Sequence, residues 1–292
     1  MATMNFGIAF ANIGPNIEPE RACELAASAE SAGFESIWTV DHVVVPAGYR
    51  STYPYDPSGR LPSGEDAPFP DPLIWLAYVA RATSTIRLAT GILILPQRHP
   101  VVLAKELATL DVLSSGRVTL GVGIGWLKEE FEALGIPFAK RGERTEESVA
   151  AMRALWTQER ASFDSSTVCF QDLYLRPQPR HGTIPIHIGG HSEIAARRAG
   201  RIGDGFFPFG VGREELPHLV DVMRKAAEAS GRDPSTIEVT VSSYSTGDDE
   251  ALADVSDLAA LGATRVVIPA ALFRGETSTS LQQYGERVIA RL

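Results

Sequence analysis

Residues 90–126 constrain the fold most. They begin Thr90-Gly91-Ile92-Leu93-Ile94-Leu95-Pro96 and pass through Ala104-Lys105-Glu106-Leu107-Ala108-Thr109-Leu110-Asp111. They end Gly116-Arg117-Val118-Thr119-Leu120-Gly121-Val122-Gly123-Ile124-Gly125-Trp126. Two apolar runs too short for helices flank a segment with helical spacing. This is the pattern of two parallel strands joined by a crossover helix. Similar units recur along the chain. Apolar runs at 5–11, 36–40, 86–95, 118–123, 185–188, 205–208, 237–242 and 265–269 read as strands. Amphipathic segments at 18–32, 72–83, 101–113, 143–156, 192–201 and 214–230 read as helices. Two more helices carry Leu252, Val255 and Ala259, and Leu281, Tyr284 and Val288. Pro19 at a helix start, Gly33 as a stop, and Asp71 before Pro72 punctuate the pattern as helix caps do.

Strict strand–helix alternation selects a parallel sheet with helices outside, and about eight such units close into a barrel. The expectation is an α/β fold, a (β/α)8 TIM barrel forming one domain over residues 1–292. An open doubly wound sheet is the competing arrangement. Two segments exceed ordinary loop lengths, one after strand two (42–70) and one before strand five (161–182), in which 167–175 reads as a possible strand. The first carries Tyr49, Tyr53, Tyr55 and Phe69, aromatics suited to covering an apolar substrate or to forming an ordered surface loop.

The chain has 292 residues, 44% of them hydrophobic, enough for a large core. Its formal net charge of −9 argues against nucleic acid or an anionic membrane as a partner, since both are met with clustered Lys and Arg. Two scattered cysteines, Cys23 and Cys169, suit a reducing compartment. With no signal-peptide pattern and no long apolar run, the expected location is cytoplasmic.

A barrel places its site at the carboxyl ends of the strands. Asp41-His42 follow strand two and pair a carboxylate with the side chain that titrates near neutrality, a proton-transfer candidate. An Asp capping the loop above a packed His is the structural alternative. Gly91-Ile92 follow strand three. Gly121-x-Gly123-x-Gly125-Trp126 ends strand four without the spacing of a dinucleotide fingerprint. Gly189-Gly190-His191-Ser192 opens a helix, where exposed amides and the helix dipole suit a phosphate. Gly-Gly before a helix also serves as a plain tight turn. Asp204-Gly205 precede strand six and fall nearer the opposite rim. His187 reads as a core histidine, His99 as a turn residue, and Lys105 and Glu106 as a solvated helix face. Glu129, Glu130 and Phe131 either line the pocket or stabilise a helix start. No metal-ligand spacing and no nucleophile motif is present in the sequence.

Taken together, Asp41-His42, Thr90-Gly91-Ile92 through His99-Pro100, Ala104 through Asp111, Gly116-Arg117, Gly121 through Trp126, Glu130-Phe131 with Leu134-Gly135, Ile188-Gly189-Gly190 and Asp204-Gly205 resemble the bacterial luciferase-like flavin oxidoreductases. The subgroup dependent on the deazaflavin coenzyme F420 (8-hydroxy-5-deazaflavin) is the nearest in pattern. The resemblance implies a ring across the strand ends and a cis Gly91–Ile92 peptide behind it. It implies Asp41 and His42 beside the ring, with Thr90, Gly123, Gly125 and Trp126 around it. The cofactor phosphate would sit on Gly189, Gly190, His191 and Ser192. His42, with Asp41, is the catalytic expectation. Trp126 stands where the family's sugar-phosphate dehydrogenases carry a Glu, so neither that acid nor that substrate carries over. The activity implied is hydride transfer with F420 on a small, apolar or cyclic substrate. A homodimer and a separate cofactor-reducing enzyme are implied partners. The rival is an FMN-dependent monooxygenase fed reduced flavin by a reductase. From other classes, a barrel isomerase or aldolase calls for a Lys or Glu base at a strand end, and a cofactor-binding protein would show no turnover.

Overall fold

A computed structural model describes residues 4–292. The strands are β1 (Asn5–Ala9), β2 (Ser36–Thr39), β3 (Arg87–Thr90), β4 (Leu93–Ile94), β5 (Val118–Gly123), β6 (Ala161–Asp164), β7 (Cys169–Leu173), β8 (Ile186–Gly189), β9 (Gly205–Phe207), β10 (Glu238–Ser242) and β11 (Arg265–Pro269). The helices are α1 (Pro19–Ser31), α2 (Pro72–Ala80), α3 (Pro100–Leu113), α4 (Lys128–Ala133), α5 (Arg141–Thr157), α6 (Glu193–Ile202), α7 (Leu216–Ala229), α8 (Asp248–Ala260) and α9 (Thr277–Arg287). Strands β3, β2, β1, β11, β10, β9, β8 and β5 pair side by side, all parallel, and β5 pairs back onto β3 to close the ring. The result is the eight-stranded TIM barrel expected from the alternation. An open sheet is ruled out by that closing pair.

Local chemistry explains the helix starts. Proline at the first position costs nothing where the N–H has no partner, and it begins α1, α2 and α3. Asp71 caps α2 by accepting from the amides of Leu73 (2.9 Å) and Ile74 (3.1 Å). Three details depart from the expected elements. The third strand is not continuous: β3 stops at Thr90, the Gly91–Ile92 peptide is cis, and β4 resumes beyond it against Val122 and Gly123. A short helix, α4, follows Trp126. The 161–182 segment folds as an antiparallel hairpin of β6 and β7 rather than a lone strand.

Side chains fill the barrel from below. Arg265 reaches Glu35 (3.0 Å) and Glu238 (2.7 Å) at the amino-terminal rim, and the buried His187 lies 3.2 Å from Glu238. Above them Ala9, Trp38, Ala89, Phe207 and Val267 form an apolar layer. Asp204 also serves this end, joining Arg153 (2.8 Å) and accepting from the Ile186 amide (2.9 Å). The interior is therefore packed from its floor upward among the described residues, and a large cavity lies at the carboxyl ends of the strands.

Candidate functional site

A cavity of about 740 Å³ opens at the carboxyl ends of the strands. That volume is ordinary for an organic ligand or cofactor. Of the residues singled out in the sequence, Asp41, His42, Gly91, Ile92, Gly123, Gly125, Trp126, Gly189, Gly190, His191 and Ser192 border it. Thr90 does not: its buried hydroxyl donates to the Gly121 carbonyl at 2.7 Å, tying β3 to β5 beneath the cavity. Tyr53, Tyr55 and Phe69 of the long insertion line the cavity too, as does Trp126. Tyr49 instead lies beneath, 2% exposed, its hydroxyl accepting from the Leu61 amide at 2.9 Å.

The glycine-rich wall has a local cause that the sequence alone does not disclose. A Cβ on Gly123 would stand 2.6 Å from Ile92 Cδ1, and one on Gly189 would stand 2.7 Å from Ile92 Cγ2. These two glycines admit the Ile92 side chain, which lies across both strand ends and forms an apolar, side-chain-poor wall. Gly190 has φ of 133°, a conformation that L side chains rarely adopt, and turns the chain from β8 into α6.

His42 and Asp41 are neighbours with different surroundings. The Asp41 carboxylate accepts from the Ile94 amide (2.9 Å) and from Arg98 (2.9 Å), and Arg98 continues to Asp71 (2.9 Å). Burial pushes the Asp41 carboxyl up, opposed by Arg98 and the Ile94 amide. Its oxygens are already engaged in joining β2, β4 and the cap of α2. His42 has Nδ1 3.0 Å from Glu130 Oε2, and Glu130 is fully buried. The other Glu130 oxygen accepts from the amides of Val43 (2.7 Å) and Val44 (3.3 Å). A carboxylate accepts only, so the neutral ring carries its proton on Nδ1 and leaves Nε2 with a lone pair. Phe69 and Trp126 meet the imidazole edge-to-face at 5.3 and 5.8 Å.

Glu129, next in sequence to Glu130, fastens the far part of the same insertion. It accepts from the Ser51 hydroxyl (2.6 Å) and the Arg50 amide (2.8 Å), and these bonds hold its carboxyl down at about 2. One turn of α4 thus holds the 42–70 segment over the cavity at two places. Burial and the neighbouring phenols raise Tyr53 to about 12, so it faces the cavity as a neutral hydroxyl at ordinary pH.

The opposite end of the cavity is basic, which sequence reading missed. Arg141 and Arg198 line it beside Gly189, Gly190 and Ser192. Arg198 is engaged by Glu146 at 2.9 Å. Arg141 donates to the Gly125 carbonyl at 3.0 Å and lies over the Phe138 ring at 3.9 Å, with no carboxylate partner among the described residues. Ser192 caps α6, its hydroxyl accepting from the Ala195 amide at 3.3 Å. A guanidinium without an acid, a positive helix end and a glycine turn converge there, and such a site suits an anion. Among the described residues no group of three or more His, Cys, Asp or Glu side chains could hold a metal ion. No helix among them is long and apolar enough to cross a membrane.

Comparison with known proteins agrees with this architecture. An uncharacterized protein of Mycobacterium tuberculosis (strain ATCC 25618 / H37Rv) is 34% identical over 208 residues, 71% of this chain and 72% of that one. The F420-dependent glucose-6-phosphate dehydrogenase of Kineococcus radiotolerans is 31% identical over 229 residues, covering 76% of this chain and 63% of the enzyme. The crystal structure of monooxygenase RslO1 from Streptomyces bottropensis superposes with a TM-score of 0.79 over 99% of both chains at 23% identity, a likeness of fold. With the family model for luciferase-like monooxygenases matching residues 4–290, the chain belongs to that family of oxidoreductases.

Proposed function

We propose that this chain is an F420-dependent oxidoreductase that moves a hydride between the deazaflavin and a small organic substrate. One observation carries the reading. The flat wall made by Ile92 across Gly123 and Gly189 leads directly into an anion-binding end at Gly190, Ser192 and Arg141, while the proton-handling His42 also borders the cavity. A planar ring with an anionic tail fits that arrangement, and the dehydrogenase relative names F420 as its cofactor.

A deazaflavin bound here supplies or accepts the hydride. The chain's residues do the rest. Arg141 and the first turn of α6 would hold the anionic tail. Ile92 would form the wall behind a bound ring, and the Tyr53, Tyr55 and Phe69 side chains would exclude water. His42 manages the proton at Nε2. In the oxidising direction Nε2 would take the proton of a substrate hydroxyl, and in the reducing direction it would return that proton to the nascent alkoxide. Glu130 is the positioning residue that keeps Nε2 free and stabilises the charge the ring acquires. Asp41 organises the strand ends and stands beside His42 without a free oxygen for chemistry. Among the cavity-lining residues there is no Lys, the base an aldolase-type barrel calls for.

Two partner roles complete the reading. Helix α2 is apolar all round, and its outward Ile74 and Tyr78, with Val102 of the neighbouring α3, are exposed. A helix of that composition is normally covered, which supports a homodimer across α2 and α3. A separate enzyme would return the cofactor to the redox state that this chain consumes. Titration of the purified protein with F420 and with FMN, followed by ultraviolet–visible absorbance, tests the assignment. Preference for F420 is expected. Tighter binding of FMN would transfer the assignment to an oxygen-using flavin monooxygenase.

A further inference from the structure

A second cavity, of about 890 Å³, adjoins the first. The two share Phe10, Ile13, Ser63 and Phe69 in their walls, so they meet along a boundary made of those side chains. Phe10, just after β1, has φ of 55°, a left-handed conformation uncommon for a bulky residue, and meets Phe209 edge-to-face at 5.7 Å. Phe69, on the other side of the divide, is the ring that packs on His42.

The order of the strands fixes the relation of the two chambers. Around the closed barrel, β1 and β8 stand four places apart in either direction. The anion-binding end is built on β8 and α6. The second chamber is built on the segments after β1 and β11, with Pro15, Pro269, Ala270 and Ala271 in its wall. It therefore lies across the mouth from the tail anchor, and its boundary residue Phe69 touches the proton-handling imidazole. A molecule reacting at His42 has this chamber next to it, across Phe10 and Phe69, on the side away from the Gly190 and Arg141 end.

The lining says what part of a molecule would go there. Leu25, Phe273, Phe10 and Phe69 supply apolar surface. The one basic side chain in its wall, Arg21, is exposed and paired with Glu24 at 3.0 Å, and Asp66 is an acid. A phosphorylated or carboxylated group would find no unpaired cation there and would face a carboxylate.

We propose that this chamber is the substrate's distal subsite. It takes an uncharged hydrocarbon or aromatic segment of a molecule whose alcohol or carbonyl end reaches His42. The proposal rests on the hydride-transfer reading for the reacting end, and on the second chamber alone for the class of the distal end. Apolar burial makes it quantitative: a homologous series of 2-alkanones should bind more tightly by about three- to fourfold per added CH2 until the chamber is filled.

The test uses the neutral fluorophore N-phenyl-1-naphthylamine, titrated into the protein with and without saturating F420. Expected is a single fluorescence-enhancing site, retained when F420 is bound and displaced by 2-alkanones in order of chain length. Ala271→Trp and Ala67→Trp, which fill the chamber from two different segments, should each weaken the fluorophore roughly tenfold or more, with F420 affinity unchanged. Loss of fluorophore binding on adding F420 would place the probe in the ring cavity and overturn the proposal. So would affinity left intact in both variants, or no binding to the unmodified protein. Failure of F420 to bind, with the fluorophore still blocked by both variants, would sink the cofactor assignment and leave the apolar chamber standing.

Discussion

Glu130 Oε2 lies 3.0 Å from Nδ1 of His42, and the carboxylate making this contact is wholly buried. The pair spans 88 residues of sequence and joins the end of β2 to α4. The same Glu130 holds the Val43 and Val44 amides, so orientation of the imidazole and anchoring of the insertion depend on one side chain.

Replacing Glu130 by Gln separates these two duties. Gln still accepts from the Val43 and Val44 amides, but its amide nitrogen donates toward Nδ1, so the neutral imidazole carries its proton on Nε2 instead. The catalytic lone pair is lost while the insertion stays fastened. Turnover in the oxidising direction should fall by about 10²-fold or more, as for loss of a general base, with F420 affinity within about twofold of the parent. Nitrogen-15 chemical shifts of the His42 ring report the tautomer directly. An unchanged tautomer with unchanged kcat would remove Glu130 from this role. His42→Ala should lower kcat similarly.

Arg141 gives a prediction about the cofactor's tail. A hydrogen bond to a charged group contributes about 1.5–3 kcal/mol, so Arg141→Gln should weaken F420 by about 10- to 100-fold. The phosphate-free deazaflavin core should bind both proteins alike. Calorimetry with the two ligands makes the comparison, and equal losses for both would show that Arg141 acts on the cavity's shape rather than on an anion.

Ile92 and the glycines beside it predict a packing coupling. Gly123→Ala places a methyl against Ile92, and overpacking of this kind costs about 1–3 kcal/mol. Ile92→Ala opens the space, so the double variant should be more stable than the sum of the single effects, a non-additivity that thermal or denaturant unfolding reads. Substituting Gly189 would meet Ile92 and the Val122 carbonyl before it met any ligand. Weakened cofactor binding in a Gly189 variant is therefore no measure of a phosphate contact, whereas Arg141→Gln is.

The contrast between what the chain announces and what it conceals follows from distance. Buried parallel strands are nearly continuous apolar runs and their crossover helices repeat every few turns, so the barrel could be read from runs such as 118–123 and 265–269. Asp41-His42 and Gly189-Gly190 follow such strands and are placed by that reading alone. Glu130 stands out in the sequence as a pocket-lining or helix-start acid and as part of the family pattern, but its pairing with His42 is not legible, because the two lie 88 residues apart and α4 has six residues, too few for periodicity. Arg141 and Arg198 sit in α5 and α6, where an arginine reads as ordinary solvated surface. The glycines at 123 and 189 were legible as missing side chains. That Ile92 uses the space was not.

The exposed apolar face of α2 predicts the assembly. If Ile74 and Tyr78 are covered by a second copy, Ile74→Arg with Tyr78→Glu buries two charges at that contact. The variant should elute as a monomer in size-exclusion chromatography with light scattering, while the parent elutes as a dimer. A monomeric parent would end the proposal.

Acid should release the insertion before it unfolds the barrel. Glu129 has its carboxyl held at about 2, below its ordinary value of 4.5, by the Ser51 hydroxyl first and then the Arg50 amide. Because the folded value is the lower one, these bonds stabilise the closed segment fully above about pH 4.5. That contribution is lost progressively as pH falls toward about 2. Strand β5 is instead held by backbone pairing to β3 and β8 and by the apolar core, so its protection should persist further into acid. Hydrogen exchange followed by mass spectrometry should show peptides containing Arg50 and Ser51 opening across that window while β5 peptides stay protected. In Glu129→Gln, which carries no charge to lose, exchange at Arg50 and Ser51 should be faster at neutral pH and nearly independent of pH through the window, after correction for the intrinsic rate. If the Arg50–Ser51 peptides of the parent open no earlier than β5, the latch at Glu129 does not hold the segment over the cavity.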